Sequence, residues 1–385
     1  MELNKYTKED IEGMRVLLRC DLDVKVNKEG VVDEYHDLRL ERIVPVVHEL
    51  FGYGAKQVII LGHRGRPKGK IDPKLSLAPI KDRLVDLCVS EGLDEPISLI
   101  DDINVEPLSY ADDSIIMLEN LRFWAEEEDL DEKFAQNLAR WGDVYVNNAF
   151  GNSHRDHSSM TLLPRILGKA FAGAQLQKEV EQLELFIESI NPPFVVILGG
   201  AKISTKLPLI SALSEKADSI LLGGGLANTV LAGRGQEVGK SLVEQEMIEF
   251  SRDLSDDKII LPEDVVIKDG SAVKVNNIGA QDVVLDIGDI AIKKFVQRVQ
   301  EAGSILWNGP MGKFEDKKFE KGTFEIAKAI AQNKQAKTLV GGGETIEALE
   351  ILDLAEDIDF VSTGGGAMLT FLAGDKMPGL DSVKL

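Results

Sequence analysis

The sequence repeats one unit along most of its length. The unit is a short apolar run, rich in β-branched residues, that ends in glycine or a small polar residue and then continues in a helix-like pattern. The runs occupy residues 15–21, 57–63, 114–120, 144–150, 194–200, 219–225, 304–310, 337–343 and 360–366. Such alternation of strands and helices predicts an α/β protein with parallel sheets that helices cover on both faces.

The length and one helical segment predict a division into two domains. A chain of 385 residues is about two domains long at roughly 100 to 200 residues per domain. Residues 175–190 carry an apolar stripe at helical spacing, followed by a proline pair that ends the helix: Leu176, Val180, Leu183, Ile187, Ile190, Pro192 and Pro193. We interpret this helix as a connector between two α/β domains; the alternative is an ordinary surface helix of one large domain.

The charge balance limits which ligands the protein can bind. The chain has 44 Lys and Arg against 65 Asp and Glu, a formal charge of -21. A surface this acidic repels nucleic acid, so we expect no nucleic-acid partner, and an anionic ligand requires a local concentration of basic residues. No long apolar run or signal-peptide pattern occurs, and Cys20 and Cys88 form no disulfide framework. We therefore expect a soluble, cytoplasmic protein without a membrane partner.

Basic residues follow the predicted strands of the first half. Ligands of open α/β sheets bind outside the carboxyl ends of the strands. Residues 62–70 carry four Lys or Arg and no acid, and other strand ends or nearby loops add Arg19, Arg39, Arg122, His154, Arg155 and His157. Each residue alone fits a solvated surface, and a zinc site at His154 and His157 lacks a third ligand. Together they predict a site for a small phosphorylated or carboxylated compound.

Glycine-rich loops follow the predicted strands of the second half. They lie at residues 198–206, 223–225, 307–312, 341–345 and 362–366. Glycine lets the backbone approach a ligand, and the start of a following helix offers N–H groups to phosphate, which predicts a nucleotide site. The Gly-x-Gly-x-x-Gly pattern is absent, which argues against a dehydrogenase, and Arg234 stands where a phosphate loop ending at Gly239-Lys240-Ser241 would need glycine.

Taken in order, these motifs resemble the phosphoglycerate kinase family nearly end to end. The resemblance rests on Arg19-Cys-Asp-Leu-Asp, Gly65-Arg66-Pro67-Lys68-Gly69, Leu118-Glu-Asn-Leu-Arg122-Phe, Val144-Tyr-Val-Asn-Asn-Ala-Phe-Gly with His154-Arg155, Leu198-Gly-Gly-Ala-Lys202, Trp307-Asn-Gly-Pro-Met-Gly and Val361-Ser-Thr-Gly-Gly-Gly-Ala. It implies reversible phosphoryl transfer in glycolysis between 1,3-bisphosphoglycerate and ADP, giving 3-phosphoglycerate and ATP, with Mg²⁺ as cofactor, and a monomer.

The resemblance also implies how the chain is divided. We expect two Rossmann-like domains with parallel sheets, joined by a long connecting helix. The first would bind 3-phosphoglycerate and span 1–172, the helix 173–190, and the nucleotide-binding domain 191–370. A tail at 371–385 would fold back on the first domain, chiefly through residues 378–385.

The resemblance assigns residues to each ligand. The triose phosphate would be bound by Asp21, Asp23, Arg39, His63, Arg66, Arg122 and Arg155. The nucleotide would be bound by Lys202, Lys206, Gly225, Asn308, Glu315, Gly342, Gly343, Glu344 and Thr345, with Mg²⁺ near Glu344. The catalytic charges would be Arg39, Lys202 and Lys206, with backbone N–H groups at Gly343 and Gly365.

The chain departs from the family pattern at a few site positions. Asp23 stands where the family usually has Asn, which puts a second carboxylate beside an anionic substrate and predicts weaker binding unless Asp23 pairs with an arginine. Thr205 and Asn148 each replace Asp, and Glu344 replaces Asp with one more methylene. The other function classes left open are a non-catalytic protein that closes on a phosphorylated metabolite, and a dehydrogenase.

Overall fold

The computed structural model describes residues 1–32, 37–110, 114–252, 254 and 257–385. It divides into two compact units, one of Met1–Glu181 with Lys376–Leu385 and one of Gln182–Asp375. Across these described ranges, none of the helices has the length and apolar character needed to span a bilayer.

The first unit is built on one parallel sheet of six strands, in the order β3-β4-β2-β1-β5-β6. The strands are β1 Arg15–Arg19, β2 Gln57–Leu61, β3 Ile97–Ile100, β4 Ile115–Leu118, β5 Val144–Asn147 and β6 Ala170–Ala172. Each neighbouring pair is parallel.

The second unit holds a six-stranded parallel sheet and a small antiparallel one. Its strands are β7 Phe194–Leu198, β8 Ser219–Leu222, β9 Ile259–Ile260, β10 Asp264–Ile267, β11 Ala272–Lys274, β12 Val284–Ile287, β13 Ser304–Asn308, β14 Lys337–Gly341 and β15 Phe360–Ser362. The parallel sheet has the order β15-β14-β13-β7-β8-β9, and the antiparallel sheet the order β11-β10-β12.

The α-helices of the described residues connect these strands. They are α1 Lys8–Ile11, α2 Leu38–Glu41, α3 Val44–Gly52, α4 Ala78–Ser90, α5 Glu132–Ala139, α6 Leu163–Leu167, α7 Ala174–Glu188, α8 Leu207–Leu213, α9 Gly224–Gly233, α10 Ile248–Arg252, α11 Asp289–Gln300, α12 Lys321–Gln332, α13 Gly343–Ile351, α14 Gly366–Ala373 and α15 Pro378–Asp381.

The predicted α/β class is confirmed, and every predicted run contains a strand of a parallel sheet. Each strand ends a few residues before the predicted run does, because the closing glycine and polar residues already belong to the loop. The prediction missed β3, β6 and β9, which are short, and it missed the antiparallel sheet altogether. Alternation of strand and helix signals cannot reveal a sheet that is inserted between two such units.

Burial along the central strands shows that both faces of each parallel sheet are covered. All residues of β2 and β7 are buried, and successive strand residues point to opposite faces. The register also aligns the strand ends: Arg19 pairs with Leu61 on one side and with Asn147 on the other. In the second unit Asn308 pairs with Leu198 and Gly341. Loops that leave these ends therefore start side by side.

Two segments bear on the predicted division of the chain. Helix α7 was predicted at 175–190 and is found at Ala174–Glu188, and the boundary between the compact units falls inside it. Its buried apolar residues are Leu176, Val180, Leu183 and Phe186, and Glu179 is buried as well. The last ten residues belong to the first unit, where the amides of Asn4 and Gly379 donate to the carbonyls of Val383 and Ser153 at 2.8 Å.

Candidate active site

The ends of the first unit's strands carry a group of basic side chains that we call the basic edge. It consists of Arg19, Arg39, His63, Arg66, Arg122, His154 and Arg155. Arg19 ends β1, and the loop after β2 supplies His63 and Arg66. Arg122 lies in the 3₁₀ turn Leu121–Phe123 that follows β4. The structure thus places at one sheet edge most of the residues that the sequence assigned to the triose phosphate.

Arg122 and Arg155 have guanidinium atoms that lack protein partners. Arg122 is buried and donates from Nη1 to the carbonyl of Gly65 at 2.9 Å, and its Nε lies 3.1 Å from Glu128 Oε1. Its Nη2 and the Nε of Arg155 are buried with no hydrogen-bond partner in the described part of the chain. A buried N–H without an acceptor is costly, so these donors point to an anionic ligand.

Burial and the neighbouring like charges lower the pKa values at the basic edge. Burial, with repulsion from Arg155, lowers the pKa of Arg122 to about 10. Burial also lowers the pKa of His154 to about 4, helped by Arg155, and holds the pKa of His63 well below its ordinary value. These histidines are therefore neutral at pH 7, and an anion at this edge would meet neutral imidazoles and charged guanidiniums.

Two acidic residues of the loop after β1 contact other segments of the basic edge. Asp21 Oδ2 lies 3.6 Å from Arg39 Nε, and Arg39 Nη1 donates to the carbonyl of Asp23 at 2.6 Å. Asp23 Oδ1 accepts the backbone N–H of Gly65 at 2.8 Å. The departure at Asp23 therefore has a local role, because its carboxylate ties the loop after β1 to the loop after β2.

The glycine loops of the second unit meet at the ends of β7, β8 and β13. The amide of Gly200 donates to the carbonyl of Pro310 at 2.9 Å, and that of Gly224 to the carbonyl of Met311 at 2.8 Å. A Cβ at Gly225 would come within 2.6 Å of the Ala201 carbonyl oxygen. Side chains are thus excluded here by the close approach of one loop to the next.

A cavity of about 240 Å³ opens beside these loops within the second unit. The residues assigned to the nucleotide that line it are Gly225, Glu315 and Glu344. Its other walls are largely apolar and include Leu242, Val265, Val284, Pro310 and Met311. An apolar slot that ends in glycine backbone has the character of a site for a flat ring joined to phosphates.

The remaining assigned residues of the second unit are held together behind the loops. Lys206 Nζ donates to Asn308 Oδ1, and Asn308 Nδ2 donates to the carbonyl of Gly341 at 2.7 Å. The buried hydroxyl of Thr345 accepts the N–H of Gly309 at 2.7 Å. Gly342 adopts φ 105°, which L-residues avoid, and precedes α13. Lys202 is exposed in the loop after β7.

Burial lowers the pKa of Lys206 to about 8, and the opposing influence is the negative charge of Glu344. A lysine that is partly desolvated while it faces one carboxylate is prepared to bind further negative charge.

Comparisons with known proteins show which family the chain belongs to. The family model described as phosphoglycerate kinase matches residues 6–375. The chain belongs to the phosphoglycerate kinase family. Its curated relatives include the phosphoglycerate kinases of Zymomonas mobilis, 40% identical with 97% of each chain covered, and of Thermosynechococcus vestitus, 38% identical with 96% of each covered.

Solved phosphoglycerate kinases share the fold. The structure from Pyrococcus horikoshii has a TM-score of 0.84 at 29% identity and covers 97% of this chain and 96% of that chain. The structure from Coxiella burnetii has a TM-score of 0.76 at 32% identity and covers 97% of each chain.

Two departures from the phosphoglycerate kinase pattern have local structural roles. Thr205 closes the turn before α8, because its hydroxyl donates to the carbonyl of Lys202 at 2.9 Å. Asn148 Oδ1 accepts the amide of Gln175 at 3.1 Å, near the start of α7.

Glu344 fits the magnesium ion that the phosphoglycerate kinase family implies. It lies in the first turn of α13 and lines the cavity, and no cluster of three potential ligands occurs in the described ranges. Mg²⁺ is often held by one or two carboxylates together with substrate phosphates, and does not need an all-protein cage. One carboxylate beside a glycine-lined phosphate site matches that donor set.

Parts of both sites carry no signal in the sequence. In the first unit, Glu127 lies in an acidic run typical of a solvated surface, but it is buried. It accepts a hydrogen bond from Ser159, which in turn accepts one from Arg19. In the second unit, the antiparallel sheet supplies the cavity residues Val265 and Val284. Only the folded chain brings these residues to the sites.

Proposed function

We propose that the chain is an enzyme that catalyses reversible phosphoryl transfer between 1,3-bisphosphoglycerate and ADP, giving 3-phosphoglycerate and ATP, in glycolysis. The observation that carries the proposal is the match to one family across both units. The partnerless donors of the basic edge and the glycine-lined cavity support it, because each suits one of the two ligands.

The first unit would bind the triose phosphate and the second the nucleotide. Support for the first assignment comes from Arg122 and Arg155, since planar guanidiniums match carboxylate and phosphate oxygens. Support for the second comes from the start of α13, where N–H groups without intrahelical partners point towards a phosphate.

The mechanism needs no general base. In the direction that consumes ATP, the carboxylate oxygen of 3-phosphoglycerate attacks the γ-phosphorus, and the bond from that phosphorus to the oxygen retained by ADP breaks. Phosphoryl transfer depends on in-line positioning and charge neutralisation. We assign the neutralising charges to Arg39, Lys202 and Lys206. Glu344 would hold Mg²⁺, which supplies further positive charge to the nucleotide phosphates.

With the two ligands on different domains, transfer requires domain closure, which would also exclude water that could hydrolyse the acyl phosphate. We place the domains at 1–172 and 191–370, with the helix 173–190 as the connector. Small-angle scattering should show compaction when both ligands are present. An unchanged radius of gyration would contradict closure.

We further propose that the protein works as a monomer in the cytoplasm and takes small-molecule substrates only. Light scattering at working concentrations tests the monomer, and a dimer mass would refute it.

The deciding experiment is an assay of ADP formation with 3-phosphoglycerate, ATP and Mg²⁺. The enzyme should form ADP only when both substrates are present, and Lys206→Met should abolish most of that activity. Lys216→Met is the matched control, because Lys216 is exposed just after α8 and away from the cavity lining. Tight binding of 3-phosphoglycerate without turnover would instead indicate a binding protein.

A further inference from the structure

Arg19 is a fully buried arginine of the basic edge, and its guanidinium contacts three neighbouring groups. Its Nε donates to Ser159 Oγ at 3.0 Å, its Nη1 donates to the carbonyl of Cys20, and its Nη2 lies 3.0 Å from His63 Nδ1. None of the substrate or catalytic assignments above includes Arg19. Its guanidinium nevertheless contacts the imidazole of a residue assigned to the substrate.

The contact between Arg19 and His63 determines which nitrogen carries the imidazole proton. A guanidinium only donates hydrogen bonds, so His63 Nδ1 must be the acceptor. The ring is buried, and the charged or titratable groups that act on it are Arg19, Arg122, Arg155 and His157, which keep its pKa well below the ordinary value. A neutral ring whose Nδ1 accepts must carry its single proton on Nε2.

On the other side of Arg19, Ser159 accepts a hydrogen bond from the guanidinium. Ser159 Oγ lies 2.6 Å from Glu127 Oε1, to which it donates its only proton, so its lone pair accepts from Arg19 Nε. Glu127 Oε2 accepts the backbone N–H of Ser159 at 2.9 Å. Glu127 and Ser159 therefore fix the plane of the guanidinium, and the buried carboxylate balances its charge.

We propose that Arg19 is a positioning residue that fixes His63 in the Nε2–H tautomer, so that a neutral His63 donates a hydrogen bond to the anionic triose phosphate. The opposite tautomer, which is protonated on Nδ1, would be unfavourable at both ring nitrogens. It would turn an N–H towards the Arg19 donor and a lone pair towards the anion. The inference rests on the proposed function, because it takes the basic edge to be the triose phosphate site.

The tautomer itself can be measured in the wild-type protein. Nitrogen-15 NMR of labelled histidine, assigned with a His63→Gln variant, should show a protonated Nε2 and an unprotonated Nδ1 at pH 7, with and without 3-phosphoglycerate. A protonated Nδ1, alone or together with Nε2, would overturn the proposal. This measurement does not depend on turnover, so it gives its answer whether or not the proposed function holds.

The role of Arg19 is tested by removing the buried charge pair together. The double variant Arg19→Gln with Glu127→Gln leaves no unbalanced buried charge. Its affinity for 3-phosphoglycerate, measured by calorimetry, should fall about tenfold or more, as expected when a hydrogen bond to a charged group is lost. Arg15→Gln is the control on the same strand, because Arg15 pairs with Asp143 at the opposite end. It should bind as the wild type does.

A double-mutant cycle separates positioning from a direct charge effect. In a His63→Ala background the same pair of substitutions should cost much less affinity, because the residue being positioned is gone. An equal loss in both backgrounds would overturn the role of Arg19. If the wild type binds no 3-phosphoglycerate, the proposed function fails, whereas the NMR result still stands.

Discussion

The two units differ in the groups that their candidate sites offer to an anion. In the first, charged and imidazole side chains converge, and buried donors of Arg122 and Arg155 lack partners in the described chain. In the second, glycine backbone forms the site, and the side chains behind it, such as Asn308 and Thr345, bond to the loops themselves. One edge concentrates charge, and the other excludes side chains.

The two edges differ in the physical source of their expected affinity for an anion. At the basic edge, burial together with repulsion from Arg155 lowers the pKa of Arg122 to about 10, and a bound anion would offset both effects. The net charge of -21 includes these basic residues, so the rest of the molecule is more negative still. We call the loops at 198–206, 223–225, 307–312 and 341–345 the glycine edge. It has no such repulsion and depends on backbone shape, as at Gly342 with φ 105°. At the basic edge, loss of a charge should lower affinity without lowering stability. At the glycine edge, the space around the added side chain should decide which of the two changes.

The largest effect should come from Arg155→Gln. Loss of a buried charged contact typically costs about 2–5 kcal/mol of binding, so affinity for 3-phosphoglycerate should fall roughly thirty-fold or more. The free energy of unfolding without ligand should stay the same or rise, because a repulsive charge is gone. Calorimetry and urea unfolding measure the two quantities. Arg165→Gln, an exposed control paired with Glu132, should change neither. A clear loss of stability would show that Arg155 is structural.

At the glycine edge, Gly343→Ala should affect the nucleotide alone. A Cβ at Gly343 meets nothing within 4 Å in the protein, so stability should be retained while the KM for ATP rises about ten- to hundredfold if phosphate approaches this backbone. Gly225→Ala is the contrast, because its Cβ would press on the Ala201 carbonyl and should lower stability by about 1–3 kcal/mol. Unchanged ATP kinetics for Gly343→Ala would remove the phosphate from this backbone.

Lys206 should give the pH profile an alkaline limb. Burial lowers the pKa of Lys206 to about 8, so its charge is present below that pH and lost above it. The value of kcat/KM for ATP should fall by about tenfold per pH unit above pH 8, whereas kcat should hold to higher pH because bound phosphate favours the charged lysine. Lys206→Arg should abolish the limb. A flat profile to pH 9.5 in the wild type would contradict this assignment.

The smallest effect should come from Asp23→Asn. The amide oxygen can still accept the N–H of Gly65, so the loops stay joined while one negative charge leaves the basic edge. Affinity for 3-phosphoglycerate should improve by about 1 kcal/mol or less, as for exposed charges. Competition binding against the wild type measures the change. Unchanged or poorer affinity would show that the Asp23 carboxylate does not oppose the substrate.

The sequence predicted nine of the strands in the described chain, but not how far each site residue is buried. The loop at 62–70 reads as uniformly basic, yet Arg64 is buried and donates to the carbonyls of Val24 and Lys74, whereas Arg66 is exposed. Both residues look alike in a pattern of charge. Their environments differ because other segments cover one and not the other, and a single sequence carries no signal for that.

The sequence by itself determined that this protein is a chain of strand and helix units with basic loops in one half and glycine loops in the other. Residue type, period and spacing are local properties, so they can be read directly. Only the tertiary structure decided that Glu127, Ser159 and Arg19 form a chain of hydrogen bonds to His63, and that an antiparallel sheet walls the cavity. Those features depend on which distant segments touch and exclude water, and that is set by packing.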